Sequence, residues 1–217
     1  MTAPENSKKR FVIGLTGKMC AGKNAAADWL ARAGFAVIDA DQTAHQALDE
    51  CRGEVSAAFS AEAEACGIRF RNADGSINRR ELGRLLFRYP DLLERHERIL
   101  FPRINALLKA FIRENAGRHV VINAPLLFKS EAAALCDFVL LITAPAVIRL
   151  WRAKKRDGLP FRQIWQRFSA QKALFTQNIS ANTDIVRVGN GAGKRSLEKK
   201  LKAALRRKGI EAEYPEN

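Results

Sequence analysis

Residues 11–24 have the sequence FVIGLTGKMCAGKN, and this stretch decides the fold. Its first part, Phe11–Leu15, is a short apolar run with a β-branched centre, which predicts a buried parallel strand. Gly17–Asn24 then fits the pattern G-x-x-x-x-G-K, with asparagine where serine or threonine usually follows the lysine. Ala25–Ala33 is alanine-rich and is followed by Gly34, which predicts a helix that stops there. The order strand, glycine-rich turn, helix is typical of a phosphate-binding loop, or P-loop.

This loop predicts that the protein binds a nucleotide through its phosphates. Glycines let backbone N–H groups converge on phosphate oxygens, and the positive end of the following helix adds to the attraction. The ammonium group of Lys23 would neutralise the β and γ phosphates. The residues expected to bind the nucleotide are Gly17, Lys18, Met19, Cys20, Ala21, Gly22, Lys23 and Asn24.

Asn24 stands where a hydroxyl group would usually bind Mg²⁺. Its amide offers a carbonyl oxygen on a longer arm, which can reach the metal or hold a metal-bound water. The alternative is that Asn24 only caps the helix that follows. The residues leave both possibilities open.

A second predicted strand, Phe35–Ile38, completes a strand–helix–strand unit and leads into Asp39 and Asp41. In an open parallel sheet, residues just beyond the carboxyl ends of the strands face the ligand crevice. Asp41 is therefore the candidate that would accept a proton from an attacking hydroxyl or order magnesium waters. Asp39 lies closer to the strand, where a purely structural role is the alternative.

Positive charge is concentrated in one later stretch of the chain. Phosphoryl transfer needs cations that close over the transferred group. Arg152 and Arg156 are one helical turn apart on one face and are the candidates for such a clamp. For any single cation here, a place on a solvated helix face is the alternative. The cations are Arg149, Arg152, Lys154, Lys155, Arg156, Arg162 and Arg167.

The rest of the chain alternates between helical and strand patterns. Residues 42–117 are mostly helical in pattern, with a turn signal at Asn72–Gly75, an N-cap at Asn78 and an expected kink at Pro102. Compact apolar runs predict further buried strands at Val120–Asn123 and Phe138–Ile142, and Ile185–Val188 is expected to be the last strand. Further helices are predicted at Ala146–Arg156, Phe161–Ile179 and Lys194–Lys208.

Composition limits the classes of protein that the chain can belong to. The formal net charge of +14 predicts attraction to nucleic acid, anionic lipid or phosphate-rich metabolites. The four cysteines contain no CxxC pair and fit no zinc site, the three histidines form no triad, and the three tryptophans are expected to pack. No apolar run approaches the roughly 18 residues of a membrane helix. Met1–Arg10 is polar and unlike a signal peptide, so the cytoplasm is the expected location.

Several ordered motifs resemble the dephospho-coenzyme A kinase family, over the chain from about Phe11 to Leu205. The family's opening L-T-G, its P-loop and its V-I-D-A-D segment match residues 15–24 and 37–41. Its D-G-x-(I/L)-(N/D)-R-x-x-L, P-L-L-F, C-D, A-P, R-x-x-x-R-D-G and R-x-x-x-Q elements then match, in this order, residues 74–82, 125–128, 136–137, 144–145, 152–158 and 167–171.

The resemblance implies an α/β fold with a P-loop kinase core, a five-stranded parallel sheet flanked by helices. It also implies a helical acceptor-binding region at about residues 42–117 and a mobile lid at about residues 146–183, within a single domain 1–217. The core would consist of about residues 10–41, 118–145 and 184–217.

The reaction implied by the resemblance is transfer of the γ-phosphate of ATP, with Mg²⁺, to the ribose 3′-hydroxyl of dephospho-coenzyme A. Asp41 matches the base, and Lys23, Arg152 and Arg156 complete the expected catalytic set. The chain departs from the family pattern in the P-loop, in the His-Pro motif and at two further sites, which concern magnesium and acceptor contacts. The departures are Asn24, Phe101, Lys129 and Val188, in place of Ser or Thr, His, Glu and Asn.

Two alternatives are compatible with the same residues. One is a P-loop kinase with a different acceptor, such as a nucleoside or nucleotide. The other is a catalytically weak, basic nucleic-acid-binding protein on the same scaffold. Because the basic residues of the whole chain extend over several segments besides residues 149–167, and no DNA- or RNA-reading motif occurs, we expect no specific nucleic acid partner and no membrane partner.

Overall fold

A computed structural model describes residues 9–129, 131–158, 160–176 and 184–211. Within these residues, the predicted strands form one sheet. The strands are β1 (Val12–Gly17), β2 (Ala36–Asp39), β3 (Val120–Asn123), β4 (Phe138–Thr143) and β5 (Ile185–Gly189). In this sheet β1, β3 and β4 are almost entirely buried, and β2 and β5, at the two edges, are partly exposed.

All neighbouring strands pair in parallel, in the order β2-β3-β1-β4-β5. The register places Asn123, at the end of β3, opposite Leu15 of β1 and Asp39 of β2. The carboxyl ends of these three strands therefore meet at the same edge of the sheet, where β1 continues into the P-loop. The predicted parallel α/β architecture is confirmed.

Helices connect and flank these strands. Asn78 caps α4 as predicted, because its side chain accepts a hydrogen bond from the Glu81 N–H at 3.2 Å. Pro102 lies inside α5 and does not end this helix. Ile179, the predicted end of α7, lies outside the described residues. The helices are α1 (Lys23–Arg32), α2 (Ala40–Glu50), α3 (Arg52–Ala65), α4 (Arg79–Arg88), α5 (Pro90–Glu114), α6 (Ala146–Asp157), α7 (Phe161–Thr176) and α8 (Lys194–Arg207).

The chain divides into two compact units, one of Met1–Asp39 with Phe111–Asn217 and the other of Ala40–Ala110. The first unit contains the sheet, and its core packs α1 and α8 against β1, β3 and β4. The second unit has its own core, centred on α3 and α4. Full burial of each large apolar side chain contributes about 1.5–3 kcal/mol, so each unit has its own source of stability. No helix in the described part of the chain is long and apolar enough to cross a membrane.

Candidate active site

The P-loop has the backbone geometry that a phosphate site requires. Cys20 and Gly22 have positive φ angles of 60° and 101°, and Gly22 is the N-cap of α1 without any side-chain cap hydrogen bond. A helix N-terminus without such a cap can present its first N–H groups to an anion. Because Gly22 is the N-cap, the alternative that Asn24 caps this helix is wrong. Asn24 is exposed in the first turn.

Lys23 lies at the exit of the loop, and a buried amide holds its ammonium group. Its Nζ donates a hydrogen bond to Asn123 Oδ1 at 2.5 Å. The Asn123 Nδ2 group in turn donates to Asp39 Oδ2 at 3.0 Å. A cation, an amide and a carboxylate from three neighbouring elements thus form one connected chain at the edge of the sheet.

Asp41 is the second residue of α2, two positions beyond the end of β2, and it is exposed. It belongs to the unit Ala40–Ala110, whereas Lys23 and Asp39 belong to the unit that contains the sheet. Its role as the base remains a prediction. Among the described contacts, the carboxylate that is linked to Lys23, through Asn123, is that of Asp39.

Arg152 joins α6 to the P-loop and to the end of β5. One of its guanidinium nitrogens, Nη1, lies 3.4 Å from the carbonyl oxygens of both Cys20 and Ala21. The other, Nη2, donates to the Asn190 backbone carbonyl at 3.1 Å. Asn190 is 4% exposed, and its Nδ2 donates to the Ala21 carbonyl at 2.8 Å. Arg152 and Asn190 therefore stabilise the P-loop through its backbone carbonyl groups.

Gly22 allows this close approach. A Cβ atom at position 22 would lie 2.0 Å from Asn190 Nδ2 and 3.9 Å from Arg152 Nη1. Such a contact with Asn190 is impossible without displacement, and the positive φ angle disfavours any side chain. Glycine at this position is thus required by the packing of the loop against Asn190.

Two further arginines of α6 act electrostatically on the loop. Burial raises the pKa of the Cys20 thiol, and the nearby charges of Arg156, Arg149 and Arg152 oppose this effect. Burial lowers the pKa of Arg149, and its guanidinium lies 4.6 Å from the ring centroid of Phe168. Residues 149, 152 and 156 recur at helical spacing, so their charges converge on the same loop.

Arg152 and Arg156, predicted to act as a pair, have different surroundings. Arg156 Nε lies 2.7 Å from Asp157 Oδ1, and this hydrogen bond raises the pKa of Arg156. The Arg156 side chain is largely exposed, so the ion pair contributes little to stability. Arg156 is therefore held by a more exposed and weaker contact than Arg152.

The tryptophans differ in exposure. Trp29 of α1 is 3% exposed and packs in the core, as predicted. Trp151 of α6 and Trp165 of α7 are 62% and 65% exposed, so the prediction that they pack is wrong. Helical spacing places Trp151 about 100–160° around α6 from the arginines that act on the P-loop.

The residues next to Lys23 include two side chains, Asn24 and Asp39, with oxygen atoms of the kind that Mg²⁺ binds. No group of three or more His, Cys, Asp or Glu side chains that could hold a metal occurs among the described residues. In kinases, Mg²⁺ keeps several waters and is bound through substrate phosphates and only one or two protein oxygens. Asn24 and Asp39 supply an amide and a carboxylate oxygen of this kind.

Sequence reasoning missed Asn123 and Asn190. Asn123 ends β3 and Asn190 directly follows β5, so the rule that selected Asp41 could have found them. Val188, which stands where the family pattern has asparagine, is a buried residue of β5. Asn190 lies two positions further along the chain. The side chains of Lys129 and Arg167 lie outside the described part of the structure.

The fold is that of a P-loop kinase. It has a parallel sheet, and a glycine-rich turn that ends in a lysine connects β1 to α1. Comparison with known families narrows this class. The family model for dephospho-CoA kinase matches residues 11–192, and the chain belongs to this family.

Curated relatives and solved structures agree with this assignment. The dephospho-CoA kinase of Treponema pallidum is 39% identical over 202 residues, which cover 92% of this chain and 96% of the relative. That of Treponema denticola is also 39% identical, over 92% and 91% of the two chains. The crystal structure of TT1252 from Thermus thermophilus has 27% identity and a TM-score of 0.73, over 92% of this chain and 98% of that one. The dephospho-CoA kinase from Campylobacter jejuni, at 21% identity and a TM-score of 0.60 over 91% and 97%, has the same fold.

Proposed function

We propose that this protein phosphorylates dephospho-coenzyme A with ATP to give coenzyme A and ADP. The observation that carries the proposal is the position of Lys23, whose ammonium group is fixed at the exit of the P-loop. Membership of the dephospho-CoA kinase family supports the choice of acceptor.

In the proposed reaction, the ribose 3′-hydroxyl oxygen attacks the γ-phosphorus of ATP, and the bond from this phosphorus to the β–γ bridging oxygen breaks. Asp41 takes the proton of the hydroxyl group. Lys23 and the backbone N–H groups of the P-loop stabilise the charge on the β and γ phosphates. Arg156, which can leave its exposed pair with Asp157, closes over the transferred group.

Asn24 and Asp39 would hold Mg²⁺, which would supply positive charge to the phosphate oxygens. Arg152 has a different part in the proposed site from Arg156. Because its guanidinium is bound to carbonyl oxygens of the loop and of Asn190, it keeps the P-loop in the conformation that receives phosphate.

The test is a coupled assay with purified protein, ATP-Mg²⁺ and dephospho-coenzyme A, run beside a panel of nucleosides and nucleotides. Of the acceptors tested, only dephospho-coenzyme A is expected to be phosphorylated. Lys23→Ala, checked for a native melting curve, should lower the rate by roughly a hundredfold or more, since loss of one such electrostatic contact costs on the order of 3 kcal/mol. Turnover of a panel member in preference to dephospho-coenzyme A would change the acceptor, and a wild-type rate in Lys23→Ala would remove the P-loop from the mechanism.

The net charge of +14 predicts some binding to nucleic acid, whether the protein is a kinase or a nucleic-acid-binding protein. Contacts with the phosphate backbone alone weaken by roughly a thousandfold over a few-fold rise in salt. We expect affinity for DNA and RNA to disappear near physiological salt while ATP binding persists. Tight, sequence-dependent binding at that salt would instead favour a nucleic-acid-binding protein.

A further inference from the structure

Asn123 is a buried polar residue at the end of an apolar strand. Its three predecessors in β3, Val120 to Ile122, are apolar and buried, and Asn123 itself is 4% exposed. The parallel register places it between Leu15 and Asp39 of the neighbouring strands. A buried amide needs hydrogen-bond partners, and this amide has two charged ones.

The chemistry of these partners determines how the amide is oriented. An ammonium group can only donate hydrogen bonds, so the oxygen of Asn123 faces Lys23, at 2.5 Å. A carboxylate accepts them, so the nitrogen faces Asp39, at 3.0 Å. Aspartate at position 123 would lack the donor for Asp39, and leucine would lack both functions. Asparagine is thus the residue of this size that can join a lysine to an aspartate.

We infer that Asn123 is a positioning residue for phosphoryl transfer, and that its amide holds Lys23 and Asp39 in one fixed arrangement. The inference rests on the proposed function and adds a residue that does not itself touch the reacting atoms.

Lys23 has three N–H donors, and the bond to Asn123 uses one of them. The ammonium group can therefore keep this contact while it donates to phosphate oxygens. A long, flexible side chain that is held before the nucleotide arrives has less freedom to lose on binding, and it presents its charge in the geometry of the transition state. The amide adds no negative charge beside the phosphates.

The experiment compares Asn123→Leu, Asp39→Asn and the double variant by their kcat, their ATP Kd measured without acceptor, and their melting temperature. Asn123→Leu should lower kcat by about tenfold or more and weaken ATP binding by about threefold or more. Because the residues act as one unit, the double variant should be no more than about twofold worse than the worse single variant. Ile122→Val, at the neighbouring buried position, is the matched control and should lower only the melting temperature.

A folded Asn123→Leu protein with kcat and ATP Kd within about twofold of wild type would overturn the inference, as would effects that simply multiply in the double variant. Equal kinetic losses in Ile122→Val would also overturn it. If the leucine variant does not fold, Asn123→Asp keeps the shape but sets two carboxylates side by side, and Asp39→Asn in the same chain should restore ATP affinity. Failure of that restoration counts against the inference. A wild-type protein that binds ATP but does not phosphorylate dephospho-coenzyme A counts against the proposed function instead.

Discussion

Arg152 is joined to Asn190 by two contacts from the same nitrogen, at 3.1 Å to its backbone carbonyl and at 3.4 Å to its side-chain oxygen. The other end of the guanidinium group lies against carbonyl oxygens of the P-loop. A planar group with donors on both edges can bridge two backbone segments in this way, and a lysine cannot.

Arg152→Lys should therefore behave as a loss, although it keeps the charge. We expect about a tenfold weaker ATP Kd and a free energy of unfolding lower by on the order of 1 kcal/mol, because several hydrogen bonds to a charged group disappear. ATP titration and urea unfolding measure the two effects. Arg195→Lys, at an exposed arginine of α8, is the control, and equal behaviour of the two variants would mean that only the charge of Arg152 matters.

Gly22→Ala should destabilise the protein and weaken nucleotide binding. The added Cβ would meet Asn190 Nδ2 at 2.0 Å, and the φ angle of 101° is strained for alanine. We expect a cost on the order of 1–3 kcal/mol in the free energy of unfolding, measured by urea denaturation. Gly53→Ala in α3, where an added Cβ meets nothing within 4 Å, should be neutral or stabilising. Similar losses in both variants would show that the close approach at Gly22 is unimportant.

Asp41→Asn tests the base. The variant keeps the shape of the side chain but cannot accept the proton, so kcat should fall by about a hundredfold or more with little change in the acceptor KM. If Asp41 mainly orders magnesium waters, a higher Mg²⁺ concentration should restore much of the rate. Near-normal kcat in a well-folded variant would end the catalytic assignment, and a lower melting temperature with normal kinetics would indicate a structural role. Steady-state kinetics at several Mg²⁺ concentrations, with a melting curve, separate these outcomes.

His119 predicts how stability depends on pH. Burial, assisted by the nearby charge of Arg10, lowers the pKa of this histidine, and its Nδ1 accepts a hydrogen bond from the Phe11 N–H at 3.2 Å. The folded protein thus favours neutral imidazole, whereas the unfolded chain takes up a proton near pH 6.5. The stabilisation is present above about pH 6.5 and is lost as the pH falls through the lower pKa of the folded state.

The matching variant is His119→Gln, which can still accept the hydrogen bond but does not titrate. Urea unfolding between pH 7.5 and pH 5 should show a smaller loss of stability for this variant than for wild type. An equal loss in the two proteins would mean that protonation of His119 does not contribute.

The parts of the fold that depend on residues adjacent along the chain were predictable from the sequence. The P-loop, the N-cap at Asn78 and the strand Val120–Asn123 each arise from a short pattern, and the structure has them at the predicted places. The order of the strands was not predictable from such patterns, because it depends on contacts between segments about a hundred residues apart, such as Val12 with Val120.

Within the site, the residues that carry chemistry by type were easier to recognise than those that act through position. Lys23 is conspicuous in its motif, whereas Asn123 looks like an ordinary strand end and Asn190 like an ordinary loop residue until the sheet brings them to the P-loop. Arg152 was predicted as a site residue because of its charge, but its contacts show that the planar shape of its guanidinium group also matters, since it bridges the P-loop and Asn190. Helical spacing likewise indicated which side of α6 carries the arginines and not that Trp151 would be exposed.

The uneven exposure of the tryptophans gives the protein a built-in optical probe. Trp29 belongs to the helix that starts at Lys23 and is screened from solvent, whereas Trp151 and Trp165 are open to it. Iodide should therefore quench the emission of the two exposed indoles and leave that of Trp29, which is also expected at shorter wavelength. A nucleotide titration in the presence of iodide would report on α1 alone, without a label, and the quenched fraction would report on α6 and α7.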